Sequence, residues 1–200
     1  MTPVLSILIC TMDSRKAKFD SLIADLNAQR KDDSVEIRTL GGIAYKDGGP
    51  TRGAKRQALL EAATGDFIVF RDDDDPCPPD YIESILPHCI DGVDCIGHLF
   101  DCYGYVRGNP KKVELACVSN RFTNWAEHHN SSLRYTRCPH HLVPVRREHA
   151  LTAGFDPKMD NGEDFAYSMR LQKLGVLRNE VYLDKVLYTI THDPNKKAGT

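Results

Sequence analysis

Two hundred residues suffice for a single domain with a sizeable core. A hydrophobic content of 41% and a charged content of 27% are ordinary for a soluble globular chain, and a net charge of −2 predicts no general affinity for polyanions. No apolar run approaches the ~20 residues of a membrane-spanning helix, and seven cysteines without a CxxC pair argue against a disulfide framework and favour reduced thiols in a cytoplasmic setting.

The first ten residues lack the basic region of a signal peptide, and residues 4–11 form an apolar run suited to a central strand. A polar turn at 11–15 leads to a helix over about 17–29, with Phe19, Leu22, Ile23 and Leu26 as its buried stripe. Residues 35–40 alternate as a second strand, and the glycines of 41–50 predict a loop. Gly48 and Gly53 have phosphate-loop spacing, but Ala54-Lys55 stands where Lys and Ser/Thr are needed, which defeats that motif.

Ala54, Ala58, Leu59, Ala62 and Ala63 then recur at helical spacing, with Arg52, Lys55, Arg56 and Glu61 between them. Gly65 is expected to end this helix as a left-handed cap. The apolar run 67–70 suits a strand buried on both faces, and it ends in Asp72, Asp73, Asp74 and Asp75. An aspartate run by itself is commonly a solvated turn. Here the carboxylates repel one another at a strand end, where open α/β sheets bind ligands. A divalent cation would relieve that repulsion, and oxygen-only ligands suit Mg²⁺ or Mn²⁺.

A short helix over 79–86 and a strand over 95–100 complete an alternating order that predicts an α/β fold with a mostly parallel sheet. Residues 105–147 carry eight basic side chains against two acidic ones, with Tyr105, Phe122, Trp125 and Tyr135 interleaved. Such a run is usually a solvated face. The sharper reading is an acceptor-binding surface containing Trp125, Tyr135 and Arg146, open to a polyanion because cations neutralise phosphates and aromatics stack on bases. Cys138-Pro139-His140-His141 lacks the second ligand pair that a structural zinc site needs. Glu163 and Asp164 start a helix that Gly175 stops, with Phe165, Met169, Leu171 and Leu174 supplying its apolar spacing. The helix dipole alone would favour two acids there. A last strand over 186–191 ends at His192.

Lys55-Arg56, Ala62-Ala63-Thr64-Gly65-Asp66 and the four aspartates resemble the nucleotide-sugar core of family 2 glycosyltransferases, which share the GT-A (nucleotide-diphospho-sugar transferase) fold. Gly154-Phe155-Asp156 and Gly162-Glu163-Asp164 are similar to the family's second signature. The departures are Arg71, where the family has an apolar residue, and Asp73 at the variable position. The resemblance implies one GT-A domain over 1–200, with a nucleotide-sugar half at about 1–102 and an acceptor half at about 103–200.

On this resemblance, Thr11, Arg15 and Asp47 lie at base and ribose, and Lys55 and Arg56 orient the donor. Asp72 contacts ribose or a metal-bound water. Asp74, Asp75 and His192 hold Mg²⁺ or Mn²⁺, and Asp164 beside Glu163 is the general base. The activity implied is metal-dependent, inverting transfer from a nucleoside-diphosphate sugar to an acceptor hydroxyl, on a soluble glycan or a hydroxymethylated DNA base. A nucleotidyltransferase of related fold is the rival enzyme, although a Gly-rich signature near the first strand is missing. A non-catalytic GT-A-like binding domain is the other alternative, against which Asp72, Asp74 and Asp164 stand.

Overall fold

The strand β1 (Leu5–Cys10) buries both of its faces, with Leu5, Ile7 and Ile9 on one side and Leu8 on the other. The structure, a computed structural model, describes residues 2–103, 113–129 and 131–191. Helix α1 (Lys16–Gln29) leads to β2 (Val35–Leu40), and helix α2 (Arg52–Ala62) leads to β3 (Phe67–Asp72). Both strands pair in parallel with β1, so that Cys10 lies opposite Leu40 on one side and Asp72 on the other. Parallel neighbours need crossover connections, and the two helices supply them on opposite faces. Leu22 and Leu26 of α1 pack with Leu5, Ile7 and Ile9, whereas Leu59 and Leu60 of α2 pack with Leu8, Ile68 and Phe70.

Helix α3 (Tyr81–Ile85) joins the α1 side and runs on as a single 3-10 turn, Leu86–His88. It starts two residues later than the sequence predicts, after a turn in which the Tyr81 N–H donates to the Pro78 carbonyl at 3.2 Å. Next come β4 (Cys95–Tyr103), β5 (Val113–Val118), β6 (Ala126–Glu127), β7 (Tyr135–Arg137) and β8 (Val145–Arg146). Helices α4 (Arg147–Ala153) and α5 (Glu163–Leu174) cover the α2 side, and β9 (Glu180–Thr191) closes the described chain. The sheet order is β2-β1-β3-β8-β4-β5-β7-β6, with β9 pairing β4. Its longest ladder, β4 with β9, is parallel, and the two-residue β8 stitches β3 to β4 in antiparallel fashion. This is the α/β sheet flanked by helices that the alternating sequence predicts. The last strand is longer than the 186–191 run suggests. Its register shifts around Leu99, so that His98 faces Leu183 and Leu99 faces Val186, and the exposed pair Asp184-Lys185 is looped out of the ladder.

Three local expectations change. Helix α2 ends at Ala62 with Ala63 extended, and Gly65 is not left-handed. A Cβ on Gly65 would sit 2.6 Å from Ser6 Oγ and 2.8 Å from the Ser6 nitrogen, so glycine is required by close approach to β1. The buried face of α2 holds Gly53, Lys55, Arg56, Leu59 and Leu60, while Ala58 and Ala62 are exposed. In α5 the buried residues are Glu163, Tyr167, Ser168 and Leu171, whereas Phe165 and Leu174 are 41% and 42% exposed. Both helices are rotated so that charged side chains, not their full apolar stripes, face inward.

Candidate active site

Because β1 and β3 are parallel and in register, Thr11 after β1 and the aspartates ending β3 emerge at the same sheet edge. The four aspartates there have four different surroundings. Asp72 accepts from Arg56 Nη2 at 3.0 Å, and its Oδ2 lies 3.5 Å from His141 Nε2. Burial alone would raise the Asp72 carboxyl, but His141 and Arg56 outweigh it and hold the group far below the usual carboxylate range. Asp73 is 2% exposed and accepts from Thr11 Oγ1 and from Arg15, both at 2.7 Å. Asp74, with 21% of its side chain exposed, stands 3.2 Å from Arg15. Asp75 is buried and accepts from the Tyr188 hydroxyl at 3.0 Å. The fold thus relieves much of the crowding itself, which the sequence reading did not foresee.

Arg71 explains the inward turn of Asp75. Its guanidinium fills a core position normally apolar by stacking between Tyr81 and Tyr188, 4.5 and 4.2 Å from their centroids. Tyr188 is thereby fixed beneath the aspartates, where it accepts from the Asp72 N–H at 3.1 Å and donates to Asp75. Asp75, expected from the sequence to be a metal ligand, turns its Oδ2 to the Tyr188 hydroxyl. His192 lies outside the described residues.

The donor-side candidates cluster around the same edge, apart from Asp47. Thr11 and Arg15 hold Asp73, and Lys55, 4% exposed, donates to the Thr11 carbonyl at 2.9 Å. Asp47 stays exposed in the 3-10 turn Tyr45–Asp47 after β2, which the left-handed Gly48 closes. The second signature is locked to α2. Thr51 caps that helix through the Ala54 N–H at 2.9 Å while its hydroxyl donates to the Pro157 carbonyl at 2.6 Å. The N–H groups of Arg52 and Gly53 are taken by Asp160 Oδ1 and the Met159 carbonyl at 2.9 Å each. A Cβ on Gly53 would lie 2.1 Å from the Asp156 carbonyl oxygen, so only glycine lets the loop seat there.

At the start of α5 the two acids diverge. Glu163 is 1% exposed, with Oε1 3.6 Å from Arg56 and 4.0 Å from Arg52. This carboxylate, expected to share in catalysis, is sealed against α2 and anchors the helix there. Asp164 keeps 28% of its side chain exposed, and its Oδ2 lies 3.8 Å from His141 Nδ1. His141 is the residue that sequence reasoning missed. It is 4% exposed, between the carboxylates of the two signatures, and appeared in the sequence only as part of a poor zinc cluster. His140 beside it is fully buried, which lowers its pKa well below the usual histidine value.

The acceptor candidates separate. Trp125 donates from Nε1 to Ser168 of α5 at 3.2 Å and meets Phe165, the neighbour of Asp164, edge-on at 5.2 Å. Arg137 stacks on the Trp125 ring at 4.5 Å. Tyr135 is half-buried in β7 beside Arg134. Arg146 is not brought to this edge. It donates to the carbonyls of Val93 and Ile90 and covers the ring of Phe67, at the opposite end of β3 from Asp72. Expected at the acceptor, it lies away from Asp164.

The oxygen donors fit a hard divalent cation. Among the described residues no group of three or more His, Cys, Asp or Glu side chains forms a ready metal cage. Asp74 on the open edge suits the way Mg²⁺ is usually held, by one or two carboxylates together with substrate phosphates. No described helix is long and apolar enough to cross a membrane.

Residues 45–150 match the profile of the family described as Glycosyl transferase family 2. No curated protein matches the chain. Among solved structures, that of S. aureus TarS superposes with a TM-score of 0.64 at 15% identity, covering 95% of this chain and 37% of that one. TarS 1–349 in complex with UDP-GlcNAc gives 0.61 at 16% identity, covering 96% and 59%. The mannosyltransferase PcManGT from Pyrobaculum calidifontis, in complex with GDP-Man and Mn²⁺, gives 0.59 at 12% identity, covering 98% and 59%. The chain therefore spans less than two thirds of each of these proteins, and the likeness is one of fold.

Proposed function

The chain belongs to glycosyl transferase family 2, and on that premise we propose that it moves a sugar from a nucleoside-diphosphate donor to an acceptor hydroxyl with inversion at the anomeric carbon. The observation that carries this reading is the meeting of Asp72 and Asp164 on one sheet edge, on either side of His141. The donor would lie along the ends of β1 and β3, over Thr11, Arg15 and Asp72, with Lys55 and Arg56 fixing those groups from beneath. That the solved relatives hold UDP-GlcNAc and GDP-Man supports a nucleotide-sugar donor.

Asp74 would hold Mg²⁺ or Mn²⁺, whose charge offsets that developing on the departing diphosphate. Asp164 takes the acceptor hydroxyl's proton while that oxygen bonds to the anomeric carbon and the bond to the diphosphate breaks. One displacement from the face opposite the leaving group inverts the centre and needs no enzyme nucleophile. Arg56 and Glu163 hold α5 against α2, so Asp164 keeps a fixed position relative to the donor edge.

Trp125 and Phe165 would form the acceptor wall, because they are the aromatic pair beside Asp164. A saccharide acceptor is favoured over a DNA base because three arginines of the basic segment are engaged elsewhere, leaving Arg137 stacked on Trp125 at this wall. Arg146 lies at the far end of β3, Arg134 pairs with Glu114 and Glu127, and Arg121 stacks on Tyr182. The test is a screen of nucleoside-diphosphate sugars for hydrolysis with Mg²⁺ or Mn²⁺ and with EDTA, followed by candidate acceptors. Release of nucleoside diphosphate from at least one donor, enhanced by an acceptor, is expected. Inertness toward every donor in both ions would discard the reading.

A further inference from the structure

His141 lies between the two signatures, and nothing else described explains its state. Its backbone is pinned, since the Phe70 N–H donates to the His141 carbonyl at 2.8 Å, two residues before Asp72. The neighbouring His140 ring is wedged against Trp125 and Phe100, with centroids 5.3 and 6.3 Å away. The His141 ring is buried, yet neither nitrogen has a hydrogen-bond partner. Buried polar atoms are rarely left in that condition, and each case calls for a reason. Here Nε2 faces Asp72 at 3.5 Å and Nδ1 faces Asp164 at 3.8 Å. Both gaps are slightly beyond a hydrogen bond, of the kind that tightens when substrate closes a site. The ring therefore has a separate atom for the donor side and for the acceptor side.

We propose that His141 is a positioning residue that sets Asp72 and Asp164 relative to one another, with Nε2 orienting the donor-side carboxylate and Nδ1 the acceptor-side one. The proposal rests on the glycosyltransferase reading for the roles of those carboxylates. One rigid ring carries a nitrogen toward each carboxylate, so a contact that tightens on one side turns the same ring relative to the other. The two edges are therefore not independent, and the orientation of the base responds to how the donor side is engaged.

Two conservative variants separate the atoms. The amide of Asn occupies the place of Nδ1, and that of Gln the place of Nε2. With UDP-GlcNAc and GDP-mannose as donor probes, His141→Asn should keep kcat near wild type and weaken donor binding by about 10- to 100-fold, the usual scale for an orienting partner. His141→Gln should do the reverse, holding donor affinity while kcat falls by a similar factor. His141→Leu should lose both. Equal losses in the Asn and Gln variants, tracking a common fall in Tm, would overturn the proposal. Wild-type protein that binds and turns over neither donor would count against the function, and ¹⁵N imidazole spectra then decide on His141. An Nε2 signal that shifts in Asp72→Asn and an Nδ1 signal that shifts in Asp164→Asn uphold the bridge. Signals unmoved by either substitution reject it.

Discussion

Arg56 lies 3.6 Å from Glu163 across the contact of α2 with α5, and both side chains are almost sealed from solvent. The same guanidinium donates to Asp72, so one buried cation joins two acidic signatures that are far apart in sequence. Breaking a buried ion pair from one side leaves an uncompensated charge and costs about 3–5 kcal/mol. Arg56→Met should therefore lower the unfolding free energy measured by urea denaturation by an amount in that range, while strongly reducing turnover. Glu163→Gln should cost less, because Arg56 keeps Asp72. A fully stable Arg56→Met protein would show that α5 is anchored by other contacts.

Asp164→Asn should lower transfer by roughly two to four orders of magnitude, the scale of a lost general base. Donor affinity should stay within about twofold of wild type, since the proton belongs to the acceptor and P–O contacts are untouched. Steady-state transfer kinetics beside calorimetric donor titration make the comparison. Near-normal turnover would relocate the base. Glu163 is then a poor substitute, because at 1% exposure it does not face solvent.

Asp74→Asn, or EDTA, should reduce turnover by about 100-fold or more, as expected when several kcal/mol of charge stabilisation is withdrawn. The fold should persist, because Asp74 is partly exposed and Arg15 retains its stronger contact with Asp73. Asp75→Asn should behave differently. It disturbs a buried acceptor of the Tyr188 hydroxyl, so its main effect should be on Tm. Donor binding that is indifferent to EDTA would count against the metal.

Glu36 supplies a pH test remote from the reacting groups. Partial burial works to raise its carboxyl, but the Ser6 hydroxyl at 2.5 Å, the Thr64 N–H at 2.5 Å and Arg38 outweigh it and lower the pKa. A carboxyl lower in the folded than in the unfolded state stabilises the protein above the unfolded value of about 4.3, and that contribution is lost as pH falls through the folded value. Urea midpoints of Glu36→Gln should therefore fall less steeply than wild type below about pH 4. Parallel acid limbs would remove Glu36 from the account.

The sequence made the edge legible but not the contacts across it. The order of strands and helices as far as β4, the C-terminal placement of the aspartates, and the helix that starts at Glu163 and Asp164 follow from periodicity, cap residues and the two signatures, whereas β5 to β8 and α4 give no such signal. Helix rotation is not legible, because an apolar stripe alone does not decide which face turns inward. In α2 and α5 the ion pair of Arg56 with Glu163 competes with it, so Lys55 and Arg56 go in and Phe165 stays out. At Gly65 the sequence suggests backbone handedness, whereas close approach to Ser6 demands the glycine, a requirement that only the packed strand reveals. His141 carries no periodic signal at all. Its position follows from a hydrogen bond to Phe70 and the short β8 that comes after it.

Trp125 and Arg146 offer the sharpest comparison between sequence expectation and structure, because both were assigned to the acceptor and only one adjoins Asp164. Trp125 is held by Ser168 of α5 and meets Phe165, whereas Arg146 is spent on the Val93 and Ile90 carbonyls at the other end of β3. Trp125→Ala should raise the acceptor KM by roughly tenfold or more, consistent with one stacking contact of about 1–3 kcal/mol, and leave acceptor-independent donor hydrolysis unchanged. Arg146→Ala should leave both rates unchanged and lower Tm, since it uncovers Phe67 and strands two carbonyls. Repeating the acceptor titration between about 50 and 200 mM salt adds a second axis, because binding through phosphates would fall by orders of magnitude over that range. A flat salt response with a Trp125 effect supports a neutral saccharide on the aromatic wall. A steep salt response that Arg146→Ala reduces would return the acceptor to the polyanion class and place its surface at the other end of β3.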